Sequence, residues 1–157
     1  MTKFSIIFLA LCLFVSVASG QELPLASDFN LKDIDQDMVS LSNYKNKSAV
    51  ILIFWTTWCP MCLTELRNLN NMYSVFKKEG IEVLAIDSGE LEDTVSSFIN
   101  SSFLAYRVLL DKDTYVTRSY KAEGFPLFVL INKEGKIVFQ DNYFPLSEYR
   151  KLILTEE

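Results

Sequence analysis

SAVILIFWTTWCPMC, residues 48–62, is the stretch from which the rest of the chain can be read. Its first half, 48–55, is a continuous apolar run rich in valine and isoleucine. That composition suits a central strand buried on both faces. Its second half places Cys59 and Cys62 where the strand gives way to a long amphipathic segment. The pattern predicts a helix from Pro60 to about Glu79, stopping at Gly80, a favoured C-terminal residue. In such a helix Cys59 is the N-cap, and Pro60 takes the first helical position, where an N–H would be unpaired in any case. Cys59 then lies at the positive end of the helix beside unpaired backbone N–H groups, and both effects favour a thiolate. Cys62 falls three residues on, within the first turn. This spacing allows a closed disulfide, and attack by Cys62 can release a mixed disulfide formed at Cys59.

Three other uses of a Cys-x-x-Cys pair compete with redox chemistry. Half of a zinc site would need further Cys or His ligands, but the chain has no histidine and only Cys12 besides the pair. Haem attachment needs a histidine directly after the second cysteine, where this chain has Leu63. A static structural disulfide stays open. The absence of histidine also removes every His-based triad and His-ligated haem.

Toward the N-terminus, a short basic start with Lys3 precedes an apolar run over residues 4–17, and small residues follow at 18–20. These are the three parts of a secretory signal peptide covering residues 1–20. The run is shorter than the ~20 residues that span a bilayer. Left uncleaved, it would tether the protein to a membrane. Cleavage would remove Cys12 and leave Cys59 and Cys62 alone in an oxidising, extracytoplasmic compartment such as a periplasm. The formal charge of −5 argues against nucleic acid as a partner, because an acidic surface repels phosphate. Half of the residues are apolar, enough for a packed core.

No repeat or Gly/Pro-rich linker divides the chain, so residues 21–157 read as one domain. Two short alternating runs, 29–32 and 38–41, predict an N-terminal hairpin. Strands are expected at 81–86, 127–131 and 136–140, and helices at 91–101 and 145–154. The segment through Tyr120 reads as looser. The order ββ–β–α–β–α–β–β–α predicts an α/β fold, a mixed central sheet covered by helices on both faces.

The segment FWTTWCPMC (54–62) resembles the active-site block of the thioredoxin superfamily, and more closely its exported TlpA/ResA-like branch. The likeness extends through Glu65, Ser88-Gly89-Glu90, residues 110–113, and Gly124-Phe125-Pro126 before the FVLINKEGK run at 128–136. It implies a thioredoxin-like fold with an N-terminal β-hairpin. It also implies that Pro126 is cis and faces the dithiol, with the adjacent backbone pairing with substrate. Protein disulfides are the implied substrates, in exported proteins and with apocytochrome c maturation as one such role. The implied electron donor is a membrane thiol carrier, and no cofactor or metal is called for.

Cys62, Glu65, Leu69, Met72 and Phe76 recur at helical spacing, so Glu65 is expected on the inner face of the helix with a pKa raised by desolvation, poised to exchange protons with Cys62. A first-turn Glu placed for the helix dipole is the plain alternative. ResA-like proteins carry an active-site Glu at this position. Two departures from the superfamily stand out. Ile53 occupies the position six before the first cysteine, where thioredoxins have a buried Asp, so proton transfer falls to Glu65 or water. Phe125 is bulkier than the usual residue before the cis proline and narrows the groove. Trp58, Pro60, Met61, Phe125 and Pro126 are the candidate substrate-binding residues, while Trp55 reads as core. The role of Glu90 is left open. Asn46 and Asn100 begin glycosylation-type tripeptides, which arise often by chance.

The reading is a thiol–disulfide oxidoreductase with Cys59 as nucleophile and Cys62 as resolving thiol. One rival is a peroxiredoxin-like peroxidase, since Thr56-x-x-Cys59 matches part of that motif, although Leu52 stands where its proline is expected. The other is a binding module with an inert disulfide.

Overall fold

The computed structural model describes residues 22–154. The signal-like run, with Cys12 inside it, lies outside the described residues. The strands are β1 (Asn30–Asp33), β2 (Met38–Ser40), β3 (Ala49–Trp55), β4 (Ile81–Ser88), β5 (Arg107–Asp111), β6 (Leu127–Ile131) and β7 (Ile137–Asp141). The helices are α1 (Pro60–Lys78), α2 (Glu92–Ser102), α3 (Tyr115–Ser119) and α4 (Tyr149–Leu154).

One sheet runs in the order β2-β1-β5-β4-β3-β6-β7. β3, β4 and β5 are parallel, and the remaining pairs are antiparallel. The sheet is therefore mixed, as the element order predicts. β3 lies inside it and is buried along its whole length, which is why 48–55 carries no polar alternation. Ile51, Ile53 and Trp55 pack with α1, α2 and α4. Val50, Leu52 and Phe54 pack on the other face with Val116 of α3 and with Phe29, Val39 and Leu41 of the N-terminal segment. Helices thus cover both faces, unequally. The thioredoxin-like α/β class expected from the sequence is the fold observed.

Two elements lie where the sequence reads as loose. β5 is five residues, and its last, Asp111, is a buried acid that breaks the apolar pattern. α3 is a five-residue helix, too short for a helical period to show. Its start is held by the Asp111 carboxylate, which accepts from the Val116 and Thr117 amides and the Thr117 hydroxyl. The predicted C-terminal helix begins at Tyr149 rather than Pro145, because 145–148 form a turn in which the Glu148 and Tyr149 amides reach the Pro145 carbonyl. The hairpin joins the sheet through β1 and β5, where the buried Asp33 carboxylate pairs with Arg107 and accepts the Asp35 and Asp37 amides.

One correction concerns α1. Its buried stripe is Cys62, Leu66, Leu69 and Phe76. Glu65 and Met72 border it, half-buried. Positions three and four after Cys62 both suit helical spacing, and the core slot goes to leucine, whose burial needs no compensating hydrogen bond.

Candidate active site

β3 ends at Trp55, the chain turns through 56–58, and α1 begins at Pro60 with Cys59 as its N-cap. The Cys59 amide donates to the Thr56 carbonyl at 3.3 Å, closing the turn. Cys59 and Cys62 form a disulfide with Cα atoms 5.2 Å apart. The Cys62 amide donates to Cys59 Sγ at 3.2 Å, so an N–H of the helix's first turn is aimed at the sulfur that would carry charge once reduced. Cys62 is fully buried under the helix, whereas Cys59 keeps 6% exposure. The chain around them is open: Trp58 is 69% and Met61 67% exposed, and Pro60 is exposed.

The Phe125–Pro126 bond is cis, as the resemblance implies, and Pro126 is buried. Phe125 meets Trp58 edge-on, with ring centroids 6.4 Å apart, so the proline loop and the cysteine loop touch. Asn142, one residue beyond β7, donates through Nδ2 to the carbonyls of Gly124 (3.2 Å) and Pro126 (2.7 Å). This clasp on the proline loop was not foreseen. Its only sequence signal is a polar residue after a strand, which any turn supplies.

A second unforeseen feature lies beside the cysteine loop. Glu90, on the loop after β4, accepts from the Thr57 amide (2.5 Å) and the Thr57 hydroxyl (2.6 Å). Glu90's own amide donates to Asp87 Oδ1 at 3.2 Å. Asp87 is fully buried near the end of β4 and stands opposite Trp55 of β3 in register. Among the described residues no donor reaches Asp87 Oδ2. Burial, then the Glu90 carboxylate and the charge of Asp111, push the Asp87 carboxyl up to about 8, against the lowering effect of the Glu90 amide. For Glu90 burial acts upward, but hydrogen bonds from Asp87 and from the Thr57 hydroxyl and amide outweigh it and hold it below the usual range. The signal for Asp87 was an acid directly after the apolar run VLAI near the end of the strand IEVLAIDS.

Gly89 shapes this loop. Its φ is +80°, and a Cβ there would lie 2.8 Å from Thr114 Cγ2. Only glycine takes this conformation without strain and leaves that room.

Glu65 lines a groove with Leu69, Met72, Tyr143, Phe144 and Leu146, and its carboxylate accepts from Asn68 at 3.4 Å. It is thus on the same helix as the disulfide but outside the buried stripe.

A mixed thioredoxin-like sheet, a disulfide at the N-terminus of the first long helix and a cis-proline loop against it define a protein of the thioredoxin superfamily. The chain belongs to the AhpC/TSA family, whose model matches residues 20–140. It is 37% identical over 123 residues to the thiol-disulfide oxidoreductase ResA of Bacillus subtilis, a match covering 78% of this chain and 66% of that protein. It is 34% identical over 119 residues to ResA of Bacillus cereus, covering 76% of this chain and again 66% of the relative. The chain therefore spans just under two thirds of the length of these relatives. Among solved structures it resembles the thioredoxin domain of a thiol-disulfide oxidoreductase from Bacteroides vulgatus, with TM-score 0.72, 27% identity, and 82% of this chain and 92% of that one covered. It also resembles the exposed lipoprotein thioredoxin Etrx1 of Streptococcus pneumoniae, with TM-score 0.69, 28% identity, and 80% of this chain and all of that one covered.

Proposed function

We propose that the protein is a thiol–disulfide oxidoreductase that reduces disulfides in exported proteins. The observation that carries this reading is the asymmetry of the pair. Cys59 sits at the helix N-cap with an N–H on its sulfur, facing an open apolar surface, while Cys62 is sealed behind it. The thiol-disulfide oxidoreductases among its relatives support the same reading.

In the reduced protein the Cys59 thiolate attacks one sulfur of a substrate disulfide. The other substrate sulfur leaves as a thiolate and takes a proton. Cys62 loses its proton and attacks Cys59 Sγ, releasing the second substrate sulfur as a thiol. Two electrons have passed to the substrate, and the Cys59–Cys62 disulfide is closed. Glu65 assists the proton transfer at Cys62. Its place one turn along the same helix from Cys62 supports that role. Trp58, Pro60, Met61 and Phe125 form the docking surface, which the buried cis Pro126 shapes. A membrane thiol carrier returns the electrons, and the leader-like residues 1–20 support an extracytoplasmic site of action, with cytochrome c maturation as one role.

The peroxidase alternative is disfavoured by the closed Cys59–Cys62 pair, since a resolving cysteine one helical turn away suits dithiol exchange. The test is the redox midpoint of the couple, by equilibration in dithiothreitol buffers with thiol trapping. A midpoint at or below ~−230 mV supports a reductase, and one near ~−120 mV indicates an oxidant instead. A couple that never exchanges leaves an inert structural disulfide.

A further inference from the structure

We propose that Asp87 and Glu90 share a proton and act as a pH-sensitive clamp on the loop presenting Cys59, an assignment that rests on the oxidoreductase reading above. Two carboxyl groups in hydrogen-bonding contact need a proton between them, because two carboxylates can only accept. Asp87 and Glu90 are placed for such a pairing: the Glu90 amide donates to Asp87 Oδ1 at 3.2 Å, which holds the two residues together, and the fully buried Asp87 Oδ2 has no donor among the described residues, so it is the oxygen to carry the proton. The proton resides on Asp87, the fully buried partner, because Glu90 is half-buried and its charge is already engaged by two donors on Thr57.

The clamp reaches the site through the backbone. Thr57 lies two residues before Cys59, and its amide and hydroxyl both end on Glu90. The same turn is closed by the Cys59 amide on the Thr56 carbonyl. With Asp87 protonated, Glu90 holds three donors: the Asp87 acid and the two groups of Thr57. Loss of that proton sets two negative charges against each other, one of them on the fully buried Asp87. It also removes one donor, and the Glu90 carboxylate is driven off Thr57.

The surroundings do not cancel this effect. Asp111 of β5 adds a further negative charge near Asp87. Trp55 at the end of β3 and Thr56 just after it offer only neutral polar atoms, Trp55 Nε1 and Thr56 Oγ1, both buried and without partners among the described residues. Cys59 and Cys62 of α1 do not titrate while oxidised. The charged groups that act on Asp87 are Glu90 and Asp111, both acidic. The upward displacement of its acidity to about 8 agrees with the geometry and places the switch in an accessible range.

The clamp is tested first on the oxidised protein, in which no thiol of the pair titrates. The Thr57 amide is followed by nitrogen–proton NMR from pH 5.5 to 10. The wild-type protein should show a transition with a midpoint near 8. Asp87→Asn, which keeps a donor toward Glu90 but cannot ionise, should lack it. Glu90→Gln should lower the midpoint of the Asp87 carboxyl itself by at least about one unit, because the repelling charge is gone. A wild-type Thr57 amide flat across this range, or the same transition in Asp87→Asn, overturns the proposal.

The second measurement is the rate of reduction by a fixed dithiothreitol concentration, taken as the ratio of Asp87→Asn to wild type so that reductant ionisation cancels. The ratio should change by at least threefold between pH 6.5 and 9. A constant ratio overturns the link between clamp and disulfide. A disulfide inert to dithiothreitol in both proteins overturns the oxidoreductase reading, while the Thr57 amide still reports on the clamp.

Discussion

Trp58 and Phe125 meet edge-on with ring centroids 6.4 Å apart, so the loop before the disulfide and the loop before the cis proline share one apolar wall. An aromatic pair of this kind contributes ~0.5–1.5 kcal/mol beyond its buried area. Replacing Phe125 by Thr should lower stability by at least about that amount, because buried area is lost as well, and widen the groove. The kcat/KM for a folded protein disulfide should then rise a few-fold relative to that for a small disulfide such as oxidised glutathione. An unchanged ratio would show that Phe125 does not restrict access.

Cys62→Ala should leave a Cys59 that attacks but cannot resolve. Incubated with an oxidised protein substrate, this variant should accumulate a mixed disulfide visible on non-reducing gels and lost on reduction. Cys59→Ala should trap none, because the remaining sulfur is buried. Trapping through Cys62 alone would reverse the assigned roles.

Stability should depend on pH through Asp87. Its folded carboxyl titrates near 8, against ~3.9 in an unfolded chain. Between those values the folded protein holds a proton that the unfolded chain has released. Stability therefore falls as pH rises from about 4 to 8, by up to ~1.4 kcal/mol per pH unit, and levels off above. Glu90 acts in the opposite sense, since its stabilisation is present above its ordinary range and is lost as pH falls through its lowered value. Urea unfolding of the oxidised protein from pH 5 to 9 should show the decline, and Asp87→Asn should flatten it.

Asn142→Ala removes both donors from the carbonyls flanking the cis proline. At ~1 kcal/mol net per hydrogen bond, the loss should be about 1–2 kcal/mol in chemical unfolding. Activity should fall further than stability, because the freed loop carries Phe125 and Pro126.

Phe76 is fully buried against Phe144 and Tyr149, both edge-on. Phe76→Ala should cost ~3–5 kcal/mol, the usual range for emptying a core aromatic site, measured as a shift in the unfolding midpoint. Because the site lies at the far end of α1, the redox midpoint of the surviving folded fraction should stay within experimental error.

Much of the molecule was legible along the chain, for local reasons. A short apolar run rich in Val and Ile, leading straight into a turn, suits a strand covered on both sides, and a Cys followed by Pro at the start of an amphipathic stretch suits a helix entrance. Together, residues 48–62 determined the central strand, the N-cap position of Cys59 and the one-turn spacing that allows the disulfide. The short pieces β5 and α3 escaped because five residues hold too little of any period, and because α3 is held by a side chain, Asp111, outside itself.

The rest was decided in three dimensions. Whether residue 65 or 66 enters the core depends on what α1 packs against, and spacing alone allows both. Asp87 became a buried acid because the parallel register sets it opposite Trp55, and register is a relation between strands 32 residues apart in sequence. Glu90 reaches Thr57, and Asn142 reaches the proline loop, only once the sheet order has brought β4 and β7 to either side of the site. The chemistry of the two sulfurs was therefore written into one short segment. The groups that hold and charge that segment come from distant ones, because hydrogen bonds and desolvation act across space and leave no period in the chain.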